Sequence, residues 1–319
     1  MGTYKVLVTA RSFGSSDQNA TKLLEENDCK VVKLTADNGP IEEQLKKELT
    51  MADAVIAGLE VYDRSLIESS PKLKVISRYG VGYDKVDLDA ASDNGVMVTI
   101  TPGTNGDSVA DMAVTLMLNA ARNVSYMDQC IKNENQQRPI GVEMWEKTLG
   151  VIGAGAIGKG VARRCKGFNM KILCYDTFQD EAFKNECGAE YTDLETIIKE
   201  ADFITIHCPL NDETKNMFKT EQFQAMKKNA VIVNTSRGGI IDEAALYEAL
   251  KHGEIGAAGL DVTVNEPPYG NPLITLPNCT ITPHAGAATY ESCSKMSMMA
   301  AKNVLEVLIT GKCNLTVNK

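Results

Sequence analysis

Three polar side chains with complementary chemistry follow three separate apolar segments in the second half of the chain: Arg237, Glu266 and His284. Histidine titrates near neutral pH and can therefore donate a proton and take it back. A neighbouring carboxylate favours the protonated ring, which makes Glu266 the natural partner of His284. The planar guanidinium of Arg237 suits a carboxylate. These residue types match the reduction of a 2-oxo acid, which needs a cation for the carboxylate and an acid for the developing alkoxide.

A glycine-rich segment offers a place for the hydride donor that such a reaction needs. Gly153-Ala-Gly155-Ala-Ile-Gly158 follows an apolar run and precedes a helix predicted over residues 157–168. In that context the first glycine permits a tight turn, the second admits a pyrophosphate, and the third lets helix and strand pack closely. The diphosphate would lie at the helix N-terminus, where free N–H groups favour negative charge.

The choice between NAD and NADP depends on the acid that ends the next predicted strand, Asp176. It stands at about the distance from the glycines that is expected of a ribose-binding carboxylate. A carboxylate there accepts a hydrogen bond from the 2′-hydroxyl of NAD and repels the 2′-phosphate of NADP, by about 4 kcal/mol per unit charge at intermediate dielectric. No arginine stands in the next three residues, Thr177-Phe178-Gln179. We therefore expect NAD.

The elements that would position these residues are short β-branched runs alternating with segments of helical period, which is typical of parallel sheets covered on both faces. The first half predicts strands at Lys5–Thr9, Val31–Leu34, Ala54–Ala57, Lys74–Ser77 and Val96–Ile100. The second half predicts strands at Leu149–Ile152, Lys171–Tyr175, Phe203–His207, Val231–Asn234, Ala257–Leu260 and Thr280–Thr282. The fold class is therefore α/β, with two doubly wound parallel-sheet domains: a Rossmann cofactor domain and a flavodoxin-like substrate domain.

Helices with clear end signals frame the second array. A long helix is predicted from Asp107 to Asn123, with Asp107 or Ser108 as its N-cap, and another over Asp242–Lys251. A final helix is predicted over Thr289–Thr310, and Lys132–Pro139 is expected to form a surface loop.

Composition limits the class of protein. The 319 residues include 44% hydrophobic residues, enough for two cores, and carry a formal charge of −9, which argues against nucleic acid or an anionic membrane as a partner. Nine cysteines without a Cys-x-x-Cys pair favour a reduced, cytoplasmic environment and no metal site. The N-terminal residues, beginning Met1-Gly-Thr, show no signal peptide, and no apolar run is long enough to span a bilayer.

Taken together, the motifs resemble the D-isomer-specific 2-hydroxyacid dehydrogenase family, which includes phosphoglycerate dehydrogenases, glyoxylate/hydroxypyruvate reductases and D-lactate dehydrogenases. The resemblance covers nearly the whole chain. It rests on Gly80-Val81-Gly82-Tyr83-Asp84, on Thr101–Asn105 with Ser108-Val-Ala, on the Gly153 loop, and on the three segments that carry Arg237, Glu266 and His284.

The resemblance implies roles for individual residues. Arg237 would orient the substrate, His284 would be the acid/base, and Glu266 would hold and tune it. The backbone amides of Val81 and Gly82 would bind the substrate carboxylate, and Asp261 would contact the nicotinamide amide. Further positions would line the cofactor: Ala156, Ile157, Cys208, Thr235 and Ser236.

It also implies a domain arrangement. Residues 1–100 and 286–319 would form the substrate domain, and residues 101–285 the inserted NAD-binding domain. The long helix from near Asp107 resembles the family's dimer-forming element, so a homodimer is expected.

Several points stay open at this level. Asp111 stands where the family usually has Glu. The family's phosphoglycerate enzymes carry an arginine after the third strand, whereas the stretch Ala57–Tyr62 has no cation and contains Glu60; Arg78 or Lys74 could substitute. Phosphoglycerate therefore stands beside hydroxypyruvate and glyoxylate as a candidate substrate. The alternatives to a dehydrogenase are an NAD-binding corepressor-like interaction protein and an enzyme that uses SAM or FAD.

Overall fold

The computed structural model describes residues 4–318 and divides into two compact units. The first contains Met1–Asn105 and Ala288–Lys319, and the second is Gly106–Ala287. The boundaries predicted from the sequence lie five and two residues earlier, and residues 1–3 and 319 of the predicted substrate domain lie outside the described residues.

The first unit is built on a five-stranded parallel sheet with the order β2-β1-β3-β4-β5. Its strands are β1 (Tyr4–Val8), β2 (Cys29–Lys33), β3 (Ala54–Ala57), β4 (Val75–Arg78) and β5 (Met97–Thr99). The helices between them are α1 (Asn19–Glu25), α2 (Ile41–Leu49), α3 (Arg64–Glu68) and α4 (Leu88–Asp93), with a 3-10 turn at Ala36–Asn38. This strand order is that of flavodoxin-like sheets, as predicted.

The second unit is built on a seven-stranded parallel sheet with the order β12-β11-β10-β9-β6-β7-β8. Its strands are β6 (Thr148–Ile152), β7 (Lys171–Tyr175), β8 (Ala189–Tyr191), β9 (Phe203–Ile206), β10 (Val231–Asn234), β11 (Ala257–Leu260) and β12 (Cys279–Ile281). Its helices are α5 (Gly106–Arg122), α6 (Val124–Lys132), α7 (Ala156–Cys165), α8 (Glu181–Cys187), α9 (Leu194–Glu200), α10 (Thr220–Ala225) and α11 (Glu243–His252). Short 3-10 segments lie at Lys166–Phe168 and Pro272–Thr275. The order is that of a Rossmann sheet, also as predicted.

The last helix, α12 (Tyr290–Thr310), belongs to the first unit. Its buried face, which includes Ala300 and Val304, packs in one apolar cluster with residues of β1, β3 and β4. Thr289 caps its N-terminus by accepting a hydrogen bond from Ser292 N.

The predicted strands are confirmed within two residues at either end. One capping prediction is wrong: α5 begins at Gly106, so Asp107 and Ser108 lie in its first turn instead of capping it. The helix predicted over 157–168 is α-helical only to Cys165 and continues as a 3-10 turn. The three-residue strand β8 was not predicted, because Ala189-Glu190-Tyr191 is not an apolar β-branched run.

Parallel strands bring their following loops to one edge of the sheet. In the second unit β6, β9, β10, β11 and β12 are consecutive neighbours, so the loops after them lie side by side. The candidate catalytic and cofactor-binding residues of this unit follow the carboxyl ends of its strands, on loops or at the start of α7.

Two kinds of feature are not found between residues 4 and 318. No helix there is both long and apolar enough to cross a membrane. No three His, Cys, Asp or Glu side chains of that span are grouped so that they could hold a metal ion.

Candidate active site

The glycine loop is folded tightly against the loop that follows β9. Gly153 has a φ of +90°, and a Cβ added there would lie 2.6 Å from the backbone nitrogen of Cys208. A Cβ on Gly158 would lie 2.1 Å from the carbonyl oxygen of Gly153. Both positions therefore require glycine, the first for its conformation and the second for the close approach of α7 to the loop.

The second glycine of the motif, Gly155, lies in open space, unlike Gly153 and Gly158. Gly155 is the N-cap residue of α7, and a Cβ added there would have no heavy atom within 4 Å. The open space lies at the end of a ten-residue helix whose first N–H groups favour negative charge. Ala156 and Ile157 form the first turn of the same helix. The loop thus leaves room for a phosphate group where the sequence predicts one.

Asp176 follows β7 and lies beside this loop. Its Oδ2 atom accepts a hydrogen bond from Ala154 N at 2.7 Å, and its Oδ1 atom accepts one from Phe178 N at 2.9 Å. The backbone amides hold the carboxylate in one orientation at the edge of the loop. A fixed acid in this place matches the position predicted for ribose recognition.

The loop after β10 carries Arg237 and is shaped by a side chain that the sequence analysis missed. Asn234 is 1% exposed; its Nδ2 donates to Arg237 O at 2.8 Å, and its Oδ1 accepts from Ser236 N at 2.9 Å. The Ser236 hydroxyl donates to Cys208 O, and so ties this loop to the loop after β9. The signal in the sequence was an asparagine at the end of a buried strand, where its amide can bond the following backbone.

Glu266 and His284 are brought together although they follow different strands. Nδ1 of His284 lies 3.0 and 3.1 Å from the two carboxylate oxygens of Glu266, and the side chains are 27% and 22% exposed, respectively. A carboxylate accepts the Nδ1–H, which leaves Nε2 for proton exchange. Arg237 lies on the neighbouring loop at the same edge, since β10 and β11 pair from Val231↔Ala257 to Asn234↔Leu260.

A second histidine at this edge has a different character. His207 follows β9, with Nε2 2.8 Å from the Thr205 hydroxyl and Nδ1 3.3 Å from the Thr235 hydroxyl. Burial lowers the pKa of His207 to about 3, so the ring is neutral at physiological pH. Burial also raises the pKa of the neighbouring Cys208 thiol to about 11. Neither group is suited to acid–base chemistry near neutral pH.

Asp261 is the first residue after β11 and is 2% exposed. Its side chain accepts hydrogen bonds from Thr282, Ala285 and Gly286 on the loop that carries His284. The sequence analysis expected a contact with the nicotinamide amide and missed this connection, which depends on how the loop after β12 folds back.

Val81 and Gly82 belong to the first unit, on the loop after β4. Arg78, the last residue of β4, is 7% exposed; its Nε donates to Gly82 O at 2.9 Å and its Nη1 to Gly58 O. The arginine therefore joins the predicted carboxylate-binding loop to the loop after β3.

Comparison with known proteins agrees with this arrangement. A family model described as "D-isomer specific 2-hydroxyacid dehydrogenase, NAD binding domain" matches residues 114–286. A glyoxylate reductase of Korarchaeum cryptofilum is 42% identical over 261 residues, covering 79% of each protein. A D-3-phosphoglycerate dehydrogenase of Methanocaldococcus jannaschii is 42% identical over 309 residues, which are 95% of this chain but 57% of that protein. The crystal structure of TT0316 protein from Thermus thermophilus superposes with a TM-score of 0.85 at 33% identity, covering 98% of this chain and 99% of that one.

Proposed function

Because the chain belongs to the D-isomer specific 2-hydroxyacid dehydrogenase family, we propose that it transfers a hydride between NAD(H) and a small 2-oxo acid/D-2-hydroxy acid pair. The observation that carries this proposal is the His284–Glu266 pair, which lies on the same sheet edge as the glycine loop. An acid/base group beside a dinucleotide site is the minimum that such a reaction requires.

His284 is the acid in reduction and the base in oxidation. The Glu266 carboxylate holds Nδ1–H and stabilises the imidazolium, so Nε2 can give its proton to the developing alkoxide. In the reverse direction the neutral ring takes the proton of the substrate hydroxyl.

Arg237 orients the substrate through its carboxylate and carbonyl oxygens. A guanidinium offers paired N–H donors in one plane, which matches a 2-oxo carboxylate better than an ammonium does. The Asn234 side chain donates a hydrogen bond to the backbone carbonyl of Arg237 and so holds the backbone of this loop in place. This contact supports the role assigned to Arg237.

The residues present fit NAD. The open space at Gly155 would take the pyrophosphate, and Gly153, Ala156, Ile157 and Gly158 shape that end of the site. Asp176 would accept from the ribose hydroxyls, and three further residues would line the nicotinamide end: Cys208, Thr235 and Ser236. The bound cofactor supplies the hydride.

We assign substrate binding to the first unit, which corresponds to the predicted domain of residues 1–100 and 286–319. The backbone amides of Val81 and Gly82 would hold the substrate carboxylate, and Arg78 supports their loop. Val81 is 39% exposed, as a loop that meets a ligand must be.

The preferred substrates are small and unphosphorylated, with glyoxylate and hydroxypyruvate as the candidates and D-3-phosphoglycerate as the alternative. The loop after β3 presents the exposed apolar side chains of Leu59 and Val61 on either side of the acid Glu60. The Oε2 atom of Glu60 is buried and accepts no hydrogen bond from the described residues. A carboxylate on the loop that Arg78 joins to the Val81–Gly82 loop would oppose a phosphate there.

We also propose that the enzyme is a cytoplasmic homodimer joined through α5 and its surroundings. Its nine cysteines are free, which favours a reducing compartment. Large apolar side chains are exposed along this part of the chain, which favours an interface there: Leu118, Val124, Ile131, Ile140 and Trp145.

The test is steady-state oxidation of NADH by the purified protein with glyoxylate, hydroxypyruvate, pyruvate and 3-phosphohydroxypyruvate. We expect turnover of the first two to exceed that of the phosphorylated acid.

His284→Ala should lower kcat by about 10² to 10⁴ while NADH binding survives. If none of the four acids is reduced although NADH binds, the chain would instead be an NAD-binding interaction protein.

A further inference from the structure

Asp261 is the first residue after β11, and both of its carboxylate oxygens are engaged. Oδ1 accepts from the Thr282 hydroxyl at 2.6 Å and from Ala285 N at 2.8 Å. Oδ2 accepts from Gly286 N at 2.7 Å. The three donors surround His284 in the sequence, so this one side chain holds the loop on both sides of the histidine.

The backbone of Asp261 continues the connection in two directions. Its carbonyl oxygen accepts from His284 N at 2.9 Å, and its own N–H donates to Asn234 O at 2.9 Å. Asn234 in turn bonds Arg237 O through its side chain. Asp261 therefore lies in a continuous chain of hydrogen bonds from the arginine loop to the histidine loop.

The histidine needs such support because its backbone conformation is unfavourable. His284 has a φ of +53°, in the left-handed region that side chains other than glycine rarely adopt. Residues keep such conformations where the surrounding contacts determine them strongly. The space is also closed: a Cβ on Gly286 would lie 2.9 Å from Asp261 Oδ2.

We propose that Asp261 is a positioning residue, whose buried carboxylate fixes the loop that carries His284 for proton transfer. This inference rests on the proposed function, because it assigns Asp261 an effect that acts through His284. A buried carboxylate that accepts three short hydrogen bonds from one loop holds that loop in a single arrangement.

The kinetic test compares Asp261→Asn with Thr282→Val. The asparagine places an N–H₂ group against at least one of the backbone donors that the carboxylate accepts, so we expect kcat to fall about 100-fold with an NADH dissociation constant within about threefold of wild type. Thr282→Val removes one of the three donors and should lower kcat by about tenfold. The matched control is Thr263→Val, another buried threonine in the loop after β11, which bonds Asn265 O within its own turn and should leave kcat within about twofold.

A double variant separates positioning from general damage. In an enzyme that already carries His284→Ala, adding Asp261→Asn should cause no further loss of residual turnover, because the group it positions is gone. A further loss equal to that in the wild-type background would overturn the proposal. So would an NADH affinity that weakens in proportion to kcat/KM.

A readout independent of turnover keeps this inference separate from the proposed function. The chain has three histidines, so their imidazole ¹⁵N and ¹H resonances can be followed individually by NMR. Asp261→Asn and Thr282→Val should both shift the His284 resonances and leave those of exposed His252 in place. Unchanged His284 resonances would refute the positioning role even if no 2-oxo acid were turned over; if Asp261→Asn does not fold, Thr282→Val answers the question alone.

Discussion

Nδ1 of His284 lies 3.0 Å from Oε2 and 3.1 Å from Oε1 of Glu266, and both side chains are partly buried. A carboxylate accepts the Nδ1–H of the ring, so this contact fixes the orientation of the imidazole and leaves Nε2 to face the substrate.

Glu266→Gln removes the charge and keeps the size of the side chain. An amide oxygen is a weaker acceptor for the Nδ1–H of His284 than a carboxylate, so the ring is held less firmly. We expect kcat/KM for 2-oxo acid reduction to fall about 10- to 100-fold. The matched control is Glu248→Gln, which breaks the exposed pair with His252 on α11 and should leave kcat/KM in place. An unchanged kcat/KM in Glu266→Gln would remove the carboxylate from its assigned role.

Asp176→Asn tests the choice of cofactor. The variant loses the negative charge that would oppose a 2′-phosphate and disturbs the bond from Ala154 N, so kcat/KM with NADH should fall about tenfold while that with NADPH rises. Asp193→Asn, which affects the cap of α9 and not the glycine loop, is the control. If the ratio of kcat/KM with NADH to kcat/KM with NADPH equals that of wild type, the assignment of Asp176 is contradicted.

Much of this arrangement could be predicted from the chain, and the reason is the parallel sheet. Most strands are short apolar runs, and parallel order brings the loops after Val231–Asn234, Ala257–Leu260 and Cys279–Ile281 to one edge. Arg237, Glu266 and His284 could therefore be grouped before any distance was known.

The contacts within the loops could not be predicted in the same way. The bonds from Thr282 and Gly286 to Asp261 depend on how the chain folds back at a left-handed His284, and no periodic pattern encodes that path. The neutral state of His207 likewise depends on burial between loops that are distant in the sequence.

The neutral state of His207 should make stability depend on pH. Its pKa is about 3 in the folded protein and near 6.5 when exposed, so the unfolded chain binds the proton more readily. The free energy of unfolding must therefore fall as the pH drops below about 6.5, by at most about 1.4 kcal/mol per pH unit, and this loss continues towards pH 3.

A comparison of wild type with His207→Asn isolates this contribution. Between pH 6.5 and pH 5 most carboxylates remain ionised, and the stability advantage of wild type should shrink by about 1.5 kcal/mol in urea unfolding. His252→Asn, at an exposed histidine, should show a nearly constant difference over the same range. Parallel curves for wild type and His207→Asn would mean that the ring binds its proton as readily in the folded protein as in the unfolded chain.

The proposed dimer should depend on apolar side chains near α5. Ile131 on α6 is 62% exposed in the single chain, and an interface that covers it cannot accept a charge there without loss of affinity. We expect sedimentation velocity to give a dimer for wild type and a concentration-dependent shift to monomer for Ile131→Lys, with a change in the fluorescence of the single tryptophan, Trp145. Ile309→Lys is the matched control, because Ile309 is also an isoleucine on a helix, 65% exposed, and belongs to the first unit. A monomeric wild type, or equal dissociation of the two variants, would place the interface elsewhere or exclude it.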